Sequence, residues 1–322
     1  MERFDVLVVG GGIAGLTVAS ALEGTASVLV LEEKEFLGGL ARELSCKATN
    51  RCLRCGVCRA VEVLRKASFG IHSITGESLE SVSWGKGVFH VATNHRAFAV
   101  RSVVLATGAV PFRVEEFPRY LWGRKRRIFT GFELEKKLKS GNLEDFASFS
   151  SCAFVQCVGS RSSKERRGYC SQVCCRYALR LVENLRFRFP ETSCDLYYMD
   201  LQIFGDGEKD LRTIASSVSL FRSLPFALEE DALGVTVWVE IEGKVVKRRY
   251  DAVVLSVGLV PSSGTRRAGE LFRLPQKEGG FLVPRPEDGI FACGTATGPK
   301  DIVSTIGEAE RLAEDLLRFL GG

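Results

Sequence analysis

The chain has 322 residues, 45% hydrophobic and 26% charged, a balance that supports two packed cores and excludes disorder or a fibrous repeat. A net charge of +5 does not single out nucleic acid as a partner, and 33 glycines against nine prolines suit an α/β chain with tight strand-to-helix turns. The longest uncharged stretch, residues 6–22, is broken by Gly10, Gly11, Gly12 and Gly15 and is too short to span a bilayer. Glu2 and Asp5 stand where a signal peptide carries basic residues, so secretion is not expected. The eleven cysteines therefore read as thiols or metal ligands in a reducing cytoplasm.

In chain order, residues 4–9 form an apolar strand, 10–15 a turn, 13–22 a helix and 26–31 a second strand ending at Glu32, which is a βαβ unit. A Cys-rich segment at 46–58 precedes a helical stretch at 59–66. Alternating strands follow at 88–93 and 97–100, then a buried strand at 102–106 closed by Thr107-Gly108. Residues 113–127 are irregular and charged. A second α/β region has strands at 153–158, 195–199 and 252–257 and a helix near 171–187. The tail offers a strand at 289–293, a Gly-Thr turn and an amphipathic helix at 304–320. The runs 103–108 and 253–258 echo each other. The predicted fold is therefore α/β with two Rossmann-like domains, the second inserted into the first. Residues 1–112 and 262–322 form a dinucleotide domain with the Cys-rich insertion 46–58, and 113–261 form the other.

Gly10-x-Gly12-x-x-Gly15 lies between the first strand and the first helix, which Ile13 and Ala14 open. The first glycine permits the tight turn and the second the approach of a pyrophosphate. The third lets helix and strand pack, and the helix N-terminus faces the phosphate charge. Glu32, followed by Glu33, ends the second strand where a carboxylate meets a ribose hydroxyl. Gly38-Gly39 with Leu40, the Thr107-Gly108 strand end and the Gly289–Thr295 run ending in Gly294-Thr295 follow in the order seen in two-dinucleotide flavoproteins, which selects FAD over NAD.

A second nucleotide domain would open with another Gly-x-Gly-x-x-Gly. Here residues 153–158 lead into Gly159-Ser160-Arg161, with no further glycine until Gly168, so a pyrophosphate has no turn to approach. Cys157, Cys170, Cys174 and Cys175 stand there instead. If the helix has begun by Cys170, that residue and Cys174 share a face, and with Cys157 arriving from the strand end the four thiolates can surround one iron–sulfur cluster; buried cysteines acting as small apolar residues, or a zinc site, are the alternatives. Cys46-x5-Cys52-x2-Cys55-x2-Cys58 has the spacing of a second [4Fe–4S] site, with Gly56 easing the backbone. A redox disulfide against the flavin, drawn from any two of these four, is the rival reading, and zinc a further one.

Four runs then carry a family resemblance: Phe154-Val-Gln-Cys-Val-Gly-Ser-Arg161, Tyr169-Cys-Ser-Gln-Val-Cys-Cys-Arg-Tyr-Ala178, Tyr198-Met-Asp200 with Phe204-Gly205, and Gly294-Thr-Ala-Thr-Gly-Pro-Lys-Asp-Ile302. Over almost its whole length the chain resembles the A subunit of heterodisulfide reductase, the short A-type subunits of sulfur oxidisers, and the A subunit of the quinone-interacting membrane-bound oxidoreductase complex. The resemblance implies a thioredoxin-reductase-like fold with FAD and a [4Fe–4S] cluster on Cys157, Cys170, Cys174 and Cys175. It also places Gly298, Pro299, Lys300, Asp301 and Ile302 against the isoalloxazine, with Lys300 tuning its potential. B- and C-type subunits or other electron carriers are the implied partners, and a homodimer the implied state. Two features depart from the family. This sequence shows no ferredoxin-type domains, so bifurcation is not expected, and it carries more cysteines at 46–58.

The expected function is an FAD- and [4Fe–4S]-containing electron-transfer subunit in sulfur metabolism. The alternatives are an NAD(P)H-dependent disulfide or ferredoxin reductase using a dithiol within 46–58, and a zinc scaffold. His72, His90 and His95 lie on no motif, Cys152, Cys194 and Cys293 read as buried filler, and the basic run 124–127 as a solvated loop or a docking patch for an acidic carrier.

Overall fold

The apolar runs become strands in a computed structural model that describes residues 1–116, 120, 126–162, 167–205 and 207–321. The first elements are β1 (Glu2–Val9), α1 (Ile13–Ala21), β2 (Val28–Glu32), α2 (Val57–Gly70), β3 (Ser73–Thr75), β4 (Leu79–Gly85), β5 (Val88–Thr93), β6 (Ala97–Leu105) and β7 (Ala109–Pro111). Then come β8 (Ile128–Thr130), α3 (Gly131–Ser140), α4 (Glu144–Ala147), β9 (Ser151–Val158), α5 (Cys174–Arg188), β10 (Ser193–Tyr197), α6 (Glu208–Ser216) and β11 (Ser219–Phe221). The chain continues through β12 (Ala227–Asp231), β13 (Gly234–Ile241), β14 (Lys244–Tyr250), β15 (Ala252–Val257) and β16 (Leu259–Pro261). It ends with α7 (Ser263–Leu271), β17 (Ile290–Ala292) and α8 (Ile302–Gly321). Two units result: Met1–Glu43 with Gly56–Val110 and Val260–Gly322, and Leu44–Cys55 with Pro111–Leu259.

In the first unit the strand order is β3-β2-β1-β6-β5-β4. β1 runs parallel to β2 on one side and to β6 on the other. Val6, Leu7 and Val8 of β1 and Val103, Val104 and Leu105 of β6 are fully buried, because helices cover the strands and leave no polar face to alternate with. α1 is buried along its first two turns and packs with Leu316 and Ala313 of α8 in one apolar cluster. The segments expected at 97–100 and 102–106 are one strand. Its first half pairs with the hairpin strand β5 and its second half with β17. The chain reverses its winding between β1 and β6, so a crevice opens at their carboxyl ends.

The second unit repeats the scheme with a parallel sheet ordered β11-β10-β9-β15-β8 and a separate antiparallel sheet β12-β13-β14. Phe154, Val254, Leu196, Leu181 and Leu185 fill its core. Its switch point lies between β9 and β15, and Cys157 stands at the carboxyl end of β9.

The segment Leu44–Cys55, expected in the first domain, packs into the second unit. Leu53 is buried in that core. Arg180 of α5 donates from Nε to the Leu53 carbonyl at 2.8 Å and from Nη2 to the Arg54 carbonyl at 2.9 Å. Asn184 Nδ2 donates to the Lys47 carbonyl at 3.2 Å, and Lys47 Nζ pairs with Glu135 of α3. An irregular loop leaves its carbonyls unpaired, and these side chains satisfy them. Position in the sequence carried no trace of this.

α3 starts with a reciprocal cap. The Glu133 N–H donates to Thr130 Oγ1 at 3.1 Å, and Glu133 Oε2 accepts the Thr130 N–H at 2.7 Å. Thr130→Ala is expected to lower stability by about 1 kcal/mol. Urea unfolding with an unchanged slope checks this, and an unshifted midpoint would refute the cap's contribution. No helix among the described residues is long and apolar enough to cross a membrane.

Candidate functional site

The glycines after β1 divide into those that pack the fold and one that leaves space. A Cβ on Gly10, which has φ +108°, would meet the Ala106 carbonyl oxygen at 2.5 Å, and one on Gly15 would meet Gly10 O at 2.1 Å. Gly11 is equally constrained: its Cβ would strike Leu37 at 2.4 Å. Gly12 differs. Its nearest neighbour would be Gly39 Cα at 4.0 Å, and its own φ is −76°. The room above Gly12 is thus a cradle that a side chain would fill, at the N-terminus of a helix with no acidic residue in its first turn. Exposed amide dipoles there favour an anion. Ile13 and Ala14, in that first turn, are buried.

Glu32 ends β2 and is 7% exposed. Its Oε2 accepts the Gly11 N–H at 2.7 Å and its Oε1 the Lys34 N–H at 3.0 Å. Each carboxylate oxygen keeps another lone pair for a ribose hydroxyl. Glu32, Glu33, Gly10 and Thr107 line one small cavity, joined by Glu77 and Arg267, which the motifs did not reveal. Gly39 and Leu40 open a short 3-10 turn, and the Gly38 N–H donates to Gly11 O at 2.7 Å.

The Thr107-Gly108 turn is held from α7, also missed by motif reading. Ser262 Oγ donates to the Thr107 carbonyl at 2.8 Å and Thr265 Oγ1 to the Gly108 carbonyl at 2.6 Å. Ser262 also caps α7, accepting the Thr265 N–H at 2.9 Å, a signal that Ser-x-x-Thr offered. At the other end, Gly294 has φ +66° and a Cβ there would lie 2.6 Å from Ala14 Cβ, so that turn rides on the first turn of α1. A Cβ on Gly108 would meet Thr295 Oγ1 at 3.3 Å, which brings the Thr107-Gly108 and Gly294-Thr295 turns together. Lys300 Nζ bonds Glu308 Oε2 at 2.7 Å and Thr297 Oγ1 at 2.7 Å, while Glu308 Oε2 accepts the Gly294 N–H at 2.7 Å. The Lys300 charge is therefore half of an ion pair. Asp301 Oδ1 caps α8 by accepting the Ser304 N–H at 2.8 Å; Ile302 is the first helical residue, and Gly298 and Pro299 lead into it. The open cradle at Gly12 and the carboxylate at Glu32 fit a flavin dinucleotide.

In the second unit the first position of a phosphate loop is filled. Gly159, at φ +78°, faces the ring of Phe112, and a Cβ on it would lie 2.1 Å from Cγ. Arg167 lies over the same ring, 4.4 Å from its centroid. Beside this plug the four thiols gather. Cys174 is hydrogen-bonded to Cys157 and to Cys175. This lowers both of those thiols, Cys175 to about 7, and raises Cys174. Burial pushes Cys170 up, while the Gln172 N–H donates to its sulfur at 3.3 Å. α5 begins at Cys174, so Cys170 does not share a helical face with it. Gln172, at φ +60°, and a Val173 N–H bond to Ser171 O at 2.7 Å turn the chain before the helix starts. Four thiols with a cation and amide donors around them fit an iron–sulfur cluster. Among the described residues, no three His, Cys, Asp or Glu side chains are placed to hold one metal ion.

The other cysteine set is divided. Cys46, Cys52 and Cys55 belong to the second unit and Cys58, on the first turn of α2, to the first. Cys46, Cys52 and Cys58 are exposed and Cys55 is half-buried. Cys152, Cys194 and Cys293 are buried, and burial raises all three, Cys194 and Cys293 to about 12. Of the basic run, Arg124 and Lys125 lie outside the described residues. The Arg126 and Arg127 N–H groups donate to Glu230.

The chain is an oxidoreductase of two doubly wound units, and the family model of pyridine nucleotide-disulphide oxidoreductases matches its residues 4–145. Thioredoxin reductases of T. acidophilum (TM-score 0.66, 17% identity) and Lactococcus lactis (0.63, 16%) share the fold, each over 99% of both chains. Within that class the chain is related to the A subunits of heterodisulfide reductases, as its motifs suggest. It is 32% identical to the A subunit of the H(2):CoB-CoM heterodisulfide,ferredoxin reductase of Methanothermobacter thermautotrophicus, over 66% of this chain and 36% of the relative. The same figures hold for an iron-sulfur A subunit of the CoB--CoM heterodisulfide reductase of Methanopyrus kandleri. The chain thus spans about a third of the length of these relatives.

Proposed function

We propose that this chain is the flavin- and iron–sulfur-carrying electron-relay subunit of a heterodisulfide-reductase-like complex, working in sulfur metabolism in the cytoplasm. The observation that carries the reading is the exchange in the second unit. Phe112 sits on Gly159 where a nicotinamide dinucleotide would need a bare turn, and four thiols stand beside it. The iron-sulfur name of the Methanopyrus relative supports the same reading.

Gly10, Gly12, Gly15 and the start of α1 would hold the FAD pyrophosphate, and Glu32 the ribose. Thr107-Gly108, Gly294-Thr295 and the Gly298–Ile302 turn would form the flavin end, where Lys300 acts as a pair with Glu308. Cys157, Cys170, Cys174 and Cys175 would hold a [4Fe–4S] cluster, and the spacing of Cys46, Cys52, Cys55 and Cys58 supports a second. Bound together, these groups convert two-electron into one-electron traffic. The protein's part is to position them and set their potentials, with no side chain required as acid or base. B- and C-type subunits or other electron carriers are the proposed partners, and a homodimer the proposed state.

Anaerobically purified chain should carry one FAD and at least the roughly four irons of one cluster, with matching sulfide. Cys174→Ser should remove the iron of that site and keep the flavin. A flavin-only protein without iron, bleached by micromolar NADPH, would overturn the proposal in favour of a nucleotide-dependent dithiol reductase.

A further inference from the structure

Arg161 ends the Cys-Val-Gly-Ser-Arg run, and neither the thiol ligands nor the flavin turns account for it. Its backbone lies at φ +56°, in the left-handed region that a non-glycine residue rarely enters. Backbone of this kind persists where its surroundings hold it, commonly at functional sites. The Arg161 N–H donates to the Tyr169 carbonyl at 3.0 Å, one residue before Cys170. Its side chain then turns toward the thiols. The guanidinium is ion-paired through Nη1 to Asp200 Oδ1, and its positive charge acts on the Cys157, Cys170 and Cys175 thiols.

Asp200 is fixed in turn. Gln202 Nε2 donates to its Oδ2 at 3.0 Å, and its carbonyl faces Cys175 Sγ at 3.8 Å. At 26% exposure the Arg161 side chain is partly withdrawn from water, so its field on the sulfurs is less screened than at an open surface.

We propose that Arg161, positioned by Asp200, sets the reduction potential of the four-thiol centre, holding it above the value the cysteines alone would give. The proposal rests on the cluster reading above. A reduced cluster carries one more negative charge than an oxidised one. A fixed cation favours that state, and net charge is one of the levers by which proteins move such potentials. Asp200 fixes where the Arg161 charge lies and, as its counter-charge, offsets part of it.

The test uses the full chain, purified anaerobically, with redox titration of the reduced-cluster EPR signal. Arg161→Gln and Arg161→Lys share the backbone cost of the left-handed position, so the difference between them reports charge. R161Q should keep its iron and sulfide and titrate at least about 59 mV lower, a tenfold change in the one-electron equilibrium constant. R161K should recover most of that shift, and Asp200→Asn, which removes the counter-charge of Arg161 beside the same sulfurs, should move the midpoint the opposite way. An R161Q midpoint equal to that of the parent, with iron retained, overturns the role of Arg161 and leaves the cluster standing. A parent chain without iron overturns the cluster reading and this proposal with it. If R161Q loses its cluster, D200N decides: a raised midpoint supports the proposal, and an unmoved or lowered one overturns it.

Discussion

Gly12→Ala should fold and lose its flavin. The position has an ordinary φ and open space around it, so the methyl group strains nothing in the protein itself. It enters the space where the pyrophosphate must approach. Overpacking of this kind costs about 1–3 kcal/mol, which is roughly a five- to 150-fold rise in Kd. The flavin-to-protein ratio after dialysis and the melting temperature of the apo chain read the two effects separately. Parental flavin content would remove the pyrophosphate from this turn. Gly15→Ala is the contrast: its methyl would lie 2.1 Å from Gly10 O, so the loss there is of the fold and not only of the ligand.

Glu135→Gln should destabilise the second unit by about 3–5 kcal/mol, because it leaves the Lys47 ammonium buried without a counter-charge. Lys47 is 2% exposed and Glu135 0%. For a unit of this size the melting temperature should fall by about 6–20 °C. The double variant Lys47→Met/Glu135→Leu should recover most of the loss, since a buried ion pair and an apolar pair of similar volume are close in free energy. Thermal unfolding followed by circular dichroism checks both. A single variant as stable as the parent would show that the pair does not fasten the Leu44–Cys55 loop.

The doubly wound architecture was legible because its signals are local. A glycine turn between an apolar strand and a buried helix writes itself into consecutive residues, as 4–22 shows. The missed features join residues far apart in the chain. Ser262 and Thr265 brace a turn more than 150 positions away, and Arg180 binds carbonyls 126 and 127 positions earlier. No periodicity records such partners. The condition under which Cys170 and Cys174 would share a helical face is not met, because Gln172 takes a positive φ, a choice among backbone wells that composition does not dictate. The placement of the Cys-rich loop failed for a related reason: its anchor is a buried lysine, a residue type that ordinarily reads as surface.

The double partnership of β6 also bears on how the polypeptide matures. Its carboxyl half takes β17 as a neighbour, with Val103 N–H bonded to Gly289 O and Cys293 N–H to Leu105 O. The β6–β17 pairing of the first unit therefore waits for residues near 290, after the second unit's parallel strands have all been synthesised by residue 257. Domains fold as units during synthesis, and distant pairings form slowly. The first sheet therefore gains its last strand only after the inserted unit has been made, and until then the carboxyl half of β6 has an open edge.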